Sequence, residues 1–196
     1  MKNPGNRVKY FVGLTMALLS LIVWTAQAQT SNKAMLEELI RGLGVSVEDL
    51  NLPAQAKPAQ DIRVRWQGET TDSPTGVPAE RQSQPRGAFA VSSRRTALGS
   101  LPRQRAPELS SSQVLVLAVD AQKQLKGWAL IPDPRVLRAE FPGQGGELSG
   151  QVIYQSKAEF IVALPDDPEI AELRFYHPRW TGKAFDLELI EAIQLQ

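Results

Sequence analysis

The chain is 196 residues long, with 22 Lys and Arg, 21 Asp and Glu, a single histidine and no cysteine. A hydrophobic fraction of 42% is enough to bury a core, and a formal charge of +1 makes no whole-chain case for nucleic acid. The lack of cysteine excludes disulfides, thiolate metal sites, a cysteine nucleophile and a cysteine-borne lipid anchor.

Residues 1–28 have the layout of an export signal. Lys2, Arg7 and Lys9 form a basic start, Tyr10 to Thr25 is an uncharged apolar run, and Ala26 and Ala28 supply the small residues that precede cleavage. The run is shorter than the roughly 20 residues of a spanning helix, so no stable membrane anchor is expected once it is cleaved. Cleavage after Ala28 would start the mature chain at Gln29, in a periplasm or outside the cell.

Residues 29–52 predict an amphipathic helix, a tight turn and a second short helix. Met35, Leu36, Leu39, Ile40 and Leu43 recur with helical spacing on one face. Ser31 or Asn32 can cap the first helix, Gly42 or Gly44 can end it, and Ser46 to Asp49 resembles a second cap. So short a helix is marginal alone and must pack on something, its own chain or a partner.

Residues 53–111 are rich in Pro, Gln, Ser, Arg and Gly, a composition that predicts a disordered linker. It carries nine basic and five acidic residues. A short strand is expected within it at 61–67, where Ile62, Val64 and Trp66 alternate with Arg63, Arg65 and Gln67. Arg86 to Val91 repeats that signal more faintly.

Residues 112–196 hold about seven short strands separated by turns, and no helix-length period. The pattern predicts a mainly β chain whose C-terminal domain is an antiparallel β-sandwich. In the number and spacing of its strands, this region resembles an immunoglobulin or fibronectin type III module at the level of fold. The strands begin at "QVLVLAV" and end at "KAFDLELIEAIQL", where Ile190 and Ile193 fall out of phase with Phe185, Leu187 and Leu189 and predict a bulge. In "RFYHPRW", Phe175 is expected in the core, Tyr176 on the opposite face, His177-Pro178 at the strand end and Arg179-Trp180 in the next turn.

Chemistry is sparse. His177 has no partner residue type at a catalytic spacing, and no nucleotide-binding glycine motif occurs, so neither an enzyme nor a cofactor is expected. One histidine cannot build a zinc site. Asp166, Asp167 and Glu169 in "LPDDPEI" are a calcium candidate, and a carboxylate-dependent hydrolase is the remaining catalytic alternative. Asp133, between two prolines, reads as a turn residue.

These residues predict an exported, non-enzymatic interaction protein with an envelope or secreted protein as partner. The expected contacts are Leu36, Leu39, Ile40 and Leu43 on the helix, Trp66 on the linker strand, and Tyr176, Arg179 and Trp180 near the last turn. The alternative partner is a glycan or cell-wall polymer stacked on Tyr176, Trp180 and Trp128.

Overall fold

A computed structural model describes residues 32–47, 50, 58–68, 87–101, 108–142 and 148–195. Residues 1–31, 48, 49, 51–57, 69–86, 102–107, 143–147 and 196 lie outside them, and so does the expected export signal. Among these residues the chain is mainly β, with antiparallel sheets and one short helix.

Helix α1 spans 32–42. Nine strands follow: β1 (Pro58–Gly68), β2 (Gly87–Ser100), β3 (Gln113–Val119), β4 (Leu125–Pro132), β5 (Val136–Pro142), β6 (Leu148–Tyr154), β7 (Lys157–Pro165), β8 (Glu172–Trp180) and β9 (Phe185–Gln194). They make a three-stranded sheet β2-β1-β7, a four-stranded sheet β4-β3-β8-β9, and a separate ribbon β5-β6.

The two sheets pack face to face. Ile62, Val64 and Trp66 of β1 meet Val114, Val116 and Ala118 of β3 and Leu173 and Phe175 of β8 in one core. Phe89 of β2 stacks on Phe175 with ring centroids 4.6 Å apart. A second core lies on the other side of the four-stranded sheet, where Leu36 and Ile40 of α1 cover Leu115, Leu117 and Val119. The order of layers is therefore sheet, sheet, helix. This explains why "QVLVLAV" is apolar without alternation: β3 is buried on both faces, so each of its side chains meets a core.

Two expectations are corrected. The short strand expected at 61–67 is present as Pro58–Gly68, but it and Gly87–Ser100 belong to the folded body and not to a linker, and they supply two of the three strands of the first sheet. The polar look of β1 comes from alternation: Arg63, Arg65 and Gln67 face solvent while Ile62, Val64 and Trp66 are buried. In their place, β5 and β6, expected in the sandwich, leave it. The second short helix expected after Ser46 falls on residues outside the described ones. Ser46 itself forms a bridge to Gln124, donating its N–H to Lys123 O (3.0 Å) and accepting from Leu125 N (2.9 Å), which stitches the helical segment to the β3–β4 turn.

Strand β8 also runs further than expected, through His177 and Pro178 to Trp180. Ladder pairing with β3 stops at Tyr176, so beyond it β8 pairs, among the described residues, with β9 alone. A proline, which donates no hydrogen bond, is tolerated where one flank is open. The bulge in β9 lies where the phase breaks: Tyr176 pairs with Leu189 and Phe175 with Glu191, leaving Ile190 as the extra residue.

Candidate binding surface

One end of the sandwich gathers the residues of interest. The end of β1 pairs there with the starts of β2 and β7, at Gln67, Ala88 and Lys157. In the other sheet the same end holds Gln113, Pro132 and the last residues of β8.

A buried polar cluster closes this end. Arg135 is only 2% exposed. Its Nε donates to Asp133 Oδ1 (2.9 Å) and its Nη2 to Asp133 Oδ2 (2.8 Å). Asp133 Oδ1 also accepts the Arg135 backbone N–H at 2.9 Å. The guanidinium lies over the Trp66 ring, 5.7 Å from its centroid. A buried charge needs such pairing, because unpaired it loses several kcal/mol of hydration. His177 is buried against the same pair. Burial first, and then the Arg135 charge, hold its imidazole below the ordinary value, while Asp133, Glu188 and a hydrogen bond to the Gln113 backbone pull the other way. Trp66 Nε1, Gln113 Oε1 and His177 Nδ1 find no hydrogen-bond partner among the described residues.

Asp133, Trp66 and His177 are far apart in sequence, and the fold brings them together around Arg135. Sequence reasoning did not single out Arg135. Its signal was local: an arginine two residues after an aspartate in a proline turn, the spacing that lets one side chain close on the other.

The expected contact residues divide. Leu36, Ile40, Trp66 and Tyr176 are buried, and Leu39 and Leu43 pack against the second core. The apolar face of α1 is thus turned onto its own sheet, with Leu36 and Ile40 fully covered and Leu39 and Leu43 half-buried. Trp66 is an inter-sheet core residue for the same reason. Tyr176 faces the second core, closed over by the helical layer, so it is no exposed platform. Trp128 packs there too and donates Nε1–H to Leu50 O at 3.1 Å.

Arg179 and Trp180 remain at the surface. Arg179 pairs loosely with Asp186 (3.6 Å, both exposed). Trp180 is 53% exposed and meets Phe185 edge to face at 5.2 Å. The tip that carries them is ordered by its own hydrogen bonds: Thr181 N and Oγ1 both donate to Ala184 O, at 2.9 and 2.8 Å. Gly182 takes a φ of +92°, a backbone that side-chain-bearing residues resist. Leu189, 54% exposed and missed in the sequence, pairs with Tyr176 and shares the face of Trp180. Its in-phase position after Leu187 had marked it as core, but β9 is an edge strand and α1 does not reach over it.

The calcium candidate is corrected. Asp166 Oδ2 accepts from Thr96 Oγ1 (3.0 Å), Asp167 is buried and caps its own turn by accepting from Glu169 N (3.0 Å), and Glu169 pairs with Lys126 at 2.6 Å. Each carboxylate has a separate local task, and among the described residues no three Asp, Glu or His groups converge on a metal site. No helix among the described residues is long and apolar enough to cross a membrane.

No protein-family model, no curated protein and no solved structure matches the chain.

Proposed function

We propose that this chain is an exported, non-enzymatic interaction protein that grips an envelope or secreted protein with the β8–β9 tip. The observation that carries this reading is Trp180. It is the one tryptophan among the described residues that is exposed, it ends β8 beside the hydrogen-bonded tip, with Arg179 before it, and exposed Leu189 lies farther along the same face. Tryptophan and arginine on a firm support are the residue types that dominate protein interfaces. The glycan alternative loses support, since Tyr176 and Trp128 are taken up by the second core and one exposed ring makes a poor sugar platform.

The immunoglobulin or fibronectin type III reading is kept as a proposal about architecture. The four-stranded sheet, crossed from and back to the other sheet, supports it. The first sheet counts against a strict version: an immunoglobulin sheet has its second strand between the first and the fifth, whereas here β1 lies between β2 and β7.

A photo-crosslinking residue at position 180, in cells making the full chain, should give a discrete adduct with another protein. The same residue at position 63, on the outer face of β1, should not. Loss of the adduct on adding Leu189→Asp would support the surface. No adduct from position 180, or equal adducts from both positions, would overturn the reading.

A further inference from the structure

The ribbon β5-β6 belongs to neither sheet. It grows from the edge strands β4 and β7, and only Gln155 and Ser156 separate β6 from β7. Its root is firmly tied. Arg135 is locked to Asp133, Gln155 N donates to Arg135 O (2.8 Å), Gln155 Nε2 donates to Pro134 O (3.2 Å), and Gly68 N donates to Ser156 O (2.8 Å). The core thus aims the ribbon, yet no sheet or helix among the described residues covers it. Leu137 and Ile153 are directly opposite each other, 49% and 38% exposed. A lone two-stranded ribbon is marginal in water, and an open strand edge is a template for another strand.

Strand β5 reads V-L-R-A-E-F-P, and its two charges, opposite in sign, stand symmetrically on either side of Ala139. An antiparallel pairing of two β5 strands about a two-fold axis at Ala139 puts Arg138 of each opposite Glu140 of the other. It also puts Leu137 opposite Phe141, and Ala139 opposite itself. Opposite charges across an antiparallel pair attract and like charges repel. An axis at position 138 or 140 would instead set arginine against arginine or glutamate against glutamate, and only the axis at Ala139 gives two pairs of opposite charge. Strand β6, L-S-G-Q-V-I-Y, has no charge and no such symmetry.

We propose that the outer edge of β5 is a dimer seam whose occupant is a second copy of this chain, joining two ribbons into one four-stranded sheet. Such a contact is isologous and closes on itself, as two-fold interfaces do. It is a surface separate from Trp180.

Sedimentation of the full chain tests it. The natural chain should dimerise. Arg138→Glu and Glu140→Arg, each alone, place like charges at both contacts and should weaken the dimer about tenfold or more. Mixed together, those two variants should form a heterodimer, and Arg138→Glu combined with Glu140→Arg should restore the homodimer. Because the chain has no other cysteine, Ala139→Cys should give a disulfide-linked dimer on mild oxidation. A natural chain that stays monomeric, single variants that dimerise undiminished, or a mixture that fails to pair would each overturn the seam. The position-180 adduct should be the same in all these variants, so failure of either proposal is told apart from failure of the other.

Discussion

His177 shows how a residue that looks chemical can be structural. In many proteins a lone histidine beside a carboxylate and an arginine marks reactivity. Here both oxygens of Asp133 are engaged by Arg135, and the imidazole is buried beside that pair. Burial, the largest influence, and the neighbouring guanidinium both favour the neutral ring. The folded chain therefore takes up the proton only below the ordinary value of 6.5, whereas the unfolded chain takes it up near that value. Stability from the neutral ring is fully present above the ordinary value and is lost as the pH falls through the lowered folded one. Urea midpoints should fall as the pH is taken from above the ordinary value of 6.5 to below it, and His177→Gln should flatten that fall. A flat natural profile, or the same slope in the variant, would contradict this.

At the scale of elements, α1 is the clearest case. Its apolar stripe was legible from spacing alone, but the stripe does not say whose surface it covers. The structure places Leu36 and Ile40 at zero exposure over β3, while Glu37 faces outward between Lys33 (3.8 Å) and Arg41 (3.7 Å). Removing a buried aliphatic side chain costs the lost transfer energy plus the cavity it leaves. Ile40→Ala should lower the unfolding free energy by about 2–5 kcal/mol, and Leu39→Ala, at a half-buried position, by clearly less. Urea denaturation measures both. Losses below about 0.5 kcal/mol for Ile40→Ala would mean that the helix is not docked in solution. β1 makes the complementary point. Its alternation was read correctly, but the polar residues around it suggested a tether, when they are only the outward half of a central strand.

The molecule as a whole is a three-layer body with a projecting ribbon and a tryptophan-tipped hairpin at one end. Export is the part of the proposal that belongs to this scale. The mature protein purified from its native host should begin at Gln29 by intact mass, and a chain that retains residues 1–28 would contradict cleavage. By itself, the sequence determined the mainly β class, nearly every strand from β3 to β9, the bulge in β9 and the amphipathic helix. All of these rest on periodicity, which is local. Only the tertiary structure decided that α1 covers the chain's own sheet, that β1 and β2 complete the sandwich, and that β5 and β6 leave it. It also decided that Arg135 joins Asp133, Trp66 and His177, and that Trp180 and Leu189 stay exposed while Tyr176 is covered. Those outcomes depend on which face meets which across long stretches of chain, and alternation along one strand has no record of what lies opposite. The "RFYHPRW" segment holds both kinds of information: its strand phase is in the residues, and its division into core, tie and exposed end came from the packing around it.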